Sequence, residues 1–216
     1  EGKSGEEFES AAIAYIKDTL KKHQRIIFNG NGYSDEWPAE AERRGLANNR
    51  TTADALPAYV AEKSIKLFEE FNVLTEVEAR SRYEVKLEKY TKLMNIEVRT
   101  MKRMTRRTFL PAINKYATLV ANEINEMKAG IDTSVQDQLL NTVVDGIKEI
   151  NDALNELHAA HLAIRDLTDE QEKANKYAHE IVPMMERLRA GVDAMEIVVA
   201  HDLWPVPTYN DILFYC

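Results

Sequence analysis

The sequence predicts a mainly α protein: an elongated antiparallel bundle of long helices, with short strand-like segments near both ends. Three observations carry this reading. Apolar residues recur at three- and four-residue spacing through most of residues 75–200. Helix breakers crowd the beginning: five of the eight glycines precede residue 46, and after Pro57 the prolines are only Pro111, Pro183, Pro205 and Pro207. The turns between the long runs are short, about 2–5 residues, which makes successive helices antiparallel neighbours. A helix of about 30 residues is about 45 Å long. A compact globule of 216 residues is only about 35–45 Å across, so the bundle has to be elongated.

The elements follow in order. Ser4 and Glu7 form a capping-box pattern, and Phe8, Ala11, Ala12, Tyr15, Ile16, Thr19 and Leu20 then mark one apolar helical face. Arg25-Ile26-Ile27-Phe28 reads as an edge strand running into the turn Asn29-Gly30-Asn31-Gly32. Ser34 or Asp35 caps a short helix with Pro38 in its first turn and Gly45 past its end. Thr51-Thr52 opens another helix, bent at Pro57 and reaching Phe71. Thr75 and Glu78 make a second capping box. The helix behind it runs past Pro111, which kinks it without ending it, to a stop at Ala129-Gly130. A third long run spans Val135 to Ile164, and Thr168 to Gln171 opens a fourth that ends near Val199. Pro205 and Pro207 forbid a helix there, and Asp211 to Cys216 reads as a second strand. Two strands are marginal alone, so helices cover them or their sheet partners lie outside this chain. The chain divides into residues 1–74 (helix, strand-like turn and short helices), 75–202 (the long-helix bundle) and 203–216 (a Pro-rich extended tail packing back on the first region).

Composition narrows the function. There are 36 acidic and 28 basic residues, a net charge of −8, which argues against nucleic acid as the main partner. No run of apolar residues is long enough for a membrane span. The single cysteine, Cys216, excludes an internal disulfide framework and suits a reducing cytoplasm. The first residue is Glu1, which reads as a piece of something longer.

The chemistry-bearing candidates are few. Asn29 to Trp37 is a Gly-rich turn leading into a helix, a geometry that can hold an anion. It lacks the Lys-Ser/Thr end of a P-loop, and Asp35 and Glu36 would repel phosphate, so it reads first as a structural turn. His158 and His161, near Glu156, share a helical face and could begin a metal site. The pattern of a di-iron bundle is missing, and His161 follows the apolar rhythm of a buried residue. His23, His179 and His201 lack ligand-spaced companions. Lys102, Arg103, Arg106 and Arg107 form a basic patch, either a solvated face or an anion or protein contact. Met94, Met101, Met104, Met127, Met184, Met185 and Met195 fill a core or make an adaptable binding surface. No nucleophile constellation is present, and no catalytic, cofactor-binding or metal-binding residue is assigned.

Lys22 to Trp37 resembles the C-terminal region of type III glutamine synthetases. The resemblance continues through Glu40-Ala41-Glu42-Arg43-Arg44-Gly45-Leu46, Thr51 to Pro57, Ser81-Arg82-Tyr83-Glu84 and Trp204 to Tyr209. It covers essentially the whole chain, with residues 130–200 the least distinctive part. The resemblance implies a cytoplasmic parent enzyme, a dodecamer, that ligates ammonia to glutamate with ATP and magnesium or manganese. In that chemistry ATP phosphorylates the γ-carboxylate and ammonia displaces phosphate. It also implies that the metal and nucleotide ligands lie upstream, in a catalytic domain of the same polypeptide, so none is placed on residues 1–216. The fragment would then be a structural and assembly domain, inactive alone, with no cofactor, nucleic acid or membrane of its own. The alternative is a stand-alone helical module that binds a partner protein. A metal-carboxylate bundle enzyme is a third reading.

Overall fold

The structure, a computed structural model, describes residues 4–127 and 130–214. It is mainly helical and divides into two compact units after Arg50.

In the first unit, α1 (Glu6–Lys22) begins after Gly5, whose φ of 59° suits a residue without Cβ. Ser4 therefore stands one place before the cap, and the expected capping box does not form. Within this unit α1 buries none of its residues. The expected strand at Arg25–Phe28 is absent. Gln24–Ile26 is a 3-10 turn and Ile27 is extended but unpaired. The reason is local: Arg44 donates from Nη1 to the carbonyls of Ile27 (2.5 Å) and Arg25 (3.1 Å), using acceptors that a neighbouring strand would need. Helix α2 (Glu36–Arg43) ends in a Schellman motif at Gly45, φ 71°: Leu46 N–H reaches Ala41 O and Gly45 N–H reaches Glu42 O, both at 2.9 Å.

The second unit starts at Thr51, whose hydroxyl accepts from Asp54 N–H at 3.1 Å and caps α3 (Thr52–Tyr59). The single helix expected from Thr52 to Phe71 is two. The chain turns out at Val60–Ala61 and resumes as α4 (Glu62–Glu70). Pro57 sits inside α3 and has no N–H for Ala53 O; the side chain of Gln171 donates to that carbonyl instead, at 3.0 Å.

Helix α5 (Glu76–Met104) opens with the expected capping box. Glu78 N–H donates to Thr75 Oγ1 (3.3 Å), and Thr75 N–H to Glu78 Oε2 (2.9 Å). The chain passes through a π turn, Thr105–Phe109, into α6 (Leu110–Glu126) without a break, as expected for Pro111. Of the expected stop, Ala129 lies outside the described residues and Gly130 has φ 99°. Helix α7 (Ser134–Arg165) is followed by α8 (Glu170–Lys176), a second π turn at Tyr177–Ile181, and α9 (Val182–Glu196). Each π turn ends two residues before a proline, Pro111 or Pro183. The cap of α8 is Asp169, which accepts from Glu172 N–H at 2.7 Å, one place later than the pattern Thr168–Gln171 implied.

The expected C-terminal strand is also absent. Thr208 and Asp211 form a reciprocal capping box (3.2 and 2.8 Å) that starts α10 (Tyr209–Leu213). Residues 215 and 216, the end of that expectation, lie outside the described residues. No strand occurs among the described residues.

The main core gathers Val98 of α5, Ile113 of α6, Val143, Ile150, Leu154 and Leu157 of α7, and Leu188 of α9. A smaller cluster joins Ala53 and Leu56 of α3 to Leu87 of α5 and Ala174 of α8. Helices α7 and α9 approach closely at two glycines. A Cβ on Gly146 would collide with Met195, and one on Gly191 would lie 3.1 Å from Ile150 Cγ1. Arg187 of α9 then clamps Glu149 (2.8 Å) and Glu156 (2.6 Å) of α7. Trp204 of the tail stacks on Phe109, with ring centres 5.4 Å apart.

Candidate functional site

The sequence singled out a histidine pair and a basic patch separately; the packing of α5 on α7 makes them one site. Lys102 is half-buried, and its ammonium donates to Nδ1 of His158 (3.1 Å) and of His161 (3.0 Å). His161 Nε2 lies 2.9 Å from Asn95 Oδ1. An amide oxygen only accepts, so Nε2 carries the proton and Nδ1 offers its lone pair to Lys102.

The electrostatics agree with two neutral imidazoles. Burial, followed by the charge of Lys102, lowers His161 to about 4. The nearby Lys102 charge, with burial second, also lowers His158. Burial, with Arg106 and Arg99 adding repulsion, holds Lys102 below the usual lysine range. The histidines therefore solvate a cation. They do not form a metal pair, because the lone pairs on their Nδ1 atoms are engaged by an ammonium. Among the described residues no three His, Cys, Asp or Glu side chains converge as a metal site would require. The described residues do not fit the divalent ions that the resemblance implies.

Arg99, Lys102, Arg103, Arg106 and Arg107 line an open groove of about 520 Å³ with Ile96 and Thr100. Arg99 also lines a neighbouring hollow with Arg165, Lys92, Lys173, Glu88 and Glu170. There Glu170 is already held, by Lys173 at 2.6 Å and by the Thr91 hydroxyl at 2.8 Å. Sequence inspection missed Arg99, Asn95 and Arg165. The signal for Arg99 was present, since it stands four residues before Arg103 and three before Lys102 on the same face.

The other candidates resolve into structure. Phe28 stacks on Trp37 (4.7 Å between centres) and Arg44 lies over the Phe28 ring. Gly30 leaves the room that this ring fills, while Asn31 Oδ1 accepts from Tyr33 N–H at 3.0 Å. Asn29 to Trp37 is thus a turn folded around an aromatic pair. His179 pairs with Asp54 (2.9 Å), and His201 lies 3.4 Å from Asp211. Met94 and Met195 are core, and Met101, Met184 and Met185 pack against it. Met101, Met104 and Met185 also border an apolar hollow of about 550 Å³ with Phe109, Leu188 and Val192. Cys216 lies outside the described residues. No helix among the described residues is long and apolar enough to cross a membrane.

Comparison with known proteins places this scaffold. The glutamine synthetase C-terminal domain model matches residues 11–128. The chain is 32% identical over 214 residues to a glutamine synthetase of Butyrivibrio fibrisolvens, covering 98% of this chain and 31% of that protein. It is 35% identical over 206 residues to the type-3 glutamine synthetase of Dictyostelium discoideum, covering 92% of this chain and 28% of that protein. A glutamine synthetase of Bacteroides fragilis (strain YCH46) is 28% identical, with 95% of this chain and 29% of that protein covered. The chain thus spans 28–31% of the length of these curated relatives. With more than half of its length matched by that one domain model, the chain belongs to the glutamine synthetase C-terminal domain family.

Proposed function

We propose that this chain is the structural and assembly portion of a type III glutamine synthetase. The observation that carries the reading is the domain match over residues 11–128, in relatives about three times as long. The rest of such a polypeptide would hold the catalytic domain, with its ATP and magnesium or manganese, and would join ammonia to glutamate. The partners of this chain would be that upstream domain and further copies of the parent, in a cytoplasmic dodecamer.

The open face of α1 supports a docking role. Phe8 is 59% and Tyr15 73% exposed, and Ile13, Ile16 and Leu20 are more than half exposed. Apolar surface of this kind on a helix with no buried residue calls for a partner. We assign the upstream catalytic domain as that partner, because the relatives are long enough to supply one. Residues 1–74 would form the link, residues 75–202 an elongated antiparallel bundle, and residues 203–216 a tail. Opposite directions for α7 and α9 are supported by the pairing of Gly146 with Met195 and Gly191 with Ile150. For α5 and α7 the same sense comes from Asn95 with His161 and Lys102 with His158.

The test is enzymatic. The purified chain, given glutamate, ammonia, ATP and magnesium, is expected to make no glutamine, and turnover would refute the scaffold reading. In the parent polypeptide, Phe8→Asp with Ile16→Asp is expected to lower both activity and assembled mass. A fully active, fully assembled double variant would remove α1 as the docking face.

A further inference from the structure

Among the described residues the ion pairs along α5 are Arg80–Glu76 and Lys92–Glu88, both in its first two-thirds. From Arg99 to Arg107, along the end of α5 and the π turn after it, no cation has a carboxylate partner among the described residues, although the chain as a whole carries a charge of −8. We propose that the groove along Arg99, Lys102, Arg103 and Arg106 binds a polyphosphate anion, either free or as the phosphate chain of a nucleotide. This goes beyond the scaffold role and does not depend on the parent's activity.

Three features support a linked phosphate chain over a single phosphate. Arg99 and Arg106 are seven residues apart, about 10 Å along a helix, which is farther than one phosphate reaches. The groove, about 520 Å³, has the size of a small-molecule site. Lys102 is fixed in place. An ammonium has three N–H donors, and two are held by His158 and His161, so one remains to contribute to an anion. Arginine guanidinium groups at three- and four-residue spacing present planar forks suited to successive phosphate groups.

The histidines report on occupancy. His161 faces Lys102 and Arg99 from α5, and His158 and Arg165 from α7, all of which lower its affinity for a proton. Tyr177 packs against it from the second π turn, with ring centres 6.3 Å apart. Asn95 is its neutral hydrogen-bond partner. His158 faces Lys102 and Arg106. A bound polyanion offsets these cations and raises both histidine pKa values.

Calorimetric titration of the chain with tripolyphosphate, ATP and orthophosphate tests this, with histidine ring protons followed by NMR. Tripolyphosphate is expected to bind about tenfold or more tightly than orthophosphate and to raise the His161 pKa from about 4. Arg103→Gln with Arg106→Gln, both exposed, should weaken binding about tenfold or more with helical circular dichroism unchanged. Lys66→Gln with Arg80→Gln removes equal charge elsewhere and should leave binding intact. Equal affinity for ATP and tripolyphosphate assigns recognition to the phosphate chain, and tighter ATP binding adds contacts to the nucleoside. The proposal fails if neither anion binds saturably, if orthophosphate binds as tightly, or if both double variants lose binding equally. It also fails if the anions do not bind and Arg103→Gln with Arg106→Gln changes only the oligomeric mass, which would make the patch a protein contact.

Discussion

His161 is 5% exposed, touches Lys102 and Asn95, and titrates at about 4 instead of 6.5. The unfolded chain takes up a proton near 6.5 that the folded chain refuses until about 4. Its contribution to stability is therefore fully present above 6.5 and is lost as pH falls through that window. The loss is on the order of 2–3 kcal/mol. Urea unfolding at about pH 7 and about pH 4.5 should show this loss in the native chain and a smaller one in His161→Gln, where the contribution of His158, also lowered by Lys102, remains. Glu40, lowered to about 2 by Arg43 and Arg44, and Asp54, lowered by Thr51 and His179, have their windows at lower pH and do not mask it. Parallel pH slopes for the two proteins would contradict the neutral-imidazole assignment. The apolar rhythm of the sequence already marked His161 as buried. That Lys102 would be its neighbour was not legible, because 59 residues separate them.

At the scale of elements, the π turn before Pro111 does more than accommodate a proline. Buried residues on this long helix come seven apart: Leu87 and Met94, Val98 and Thr105, Ile113 and Val120. Between Thr105 and Ile113 the interval is eight. In an α-helix that extra residue would rotate the apolar face by about 100°, and a π turn absorbs it. Pro111→Ala is thus expected to keep the π turn, and a structure of this variant with an unbroken α-helix from Glu76 to Glu126 would show the proline to be its sole cause. The meeting of α7 and α9 makes a second prediction. Gly191→Leu forces a branched side chain onto Ile150, which is fully buried. It should destabilise by about 1–3 kcal/mol, measured as a lower urea midpoint. The sequence pattern located both helices, but it could not tell that their glycines were contact points.

For the whole molecule, the division after Arg50 leaves both hydrophobic clusters within residues 51–214. Thr51, the cap of α3, falls at the start of that unit. A chain beginning at Thr51 should keep its helical circular dichroism and one cooperative thermal transition. Loss of that transition would mean that residues 4–50 are needed for folding. Such a chain would lack α1 and its apolar face, so on the docking role proposed for α1 a parent polypeptide without residues 1–50 should fail to assemble even though residues 51–214 fold.

Periodicity and breakers were enough to place the long helices, because helix formation and its stops depend on residues within a few positions of one another. The family was also legible, in continuous strings such as Lys22 to Trp37. The two supposed strands were not resolved, because a β-rich tetrapeptide or hexapeptide takes its conformation from whatever satisfies its backbone. Arg44, 17 and 19 residues away, accepts that role for Ile27 and Arg25, while Asp211 draws the tail into a helical turn. The convergence of Lys102, His158 and His161 was decided only by the packing of α5 on α7, since local spacing carries no information about which helix faces meet.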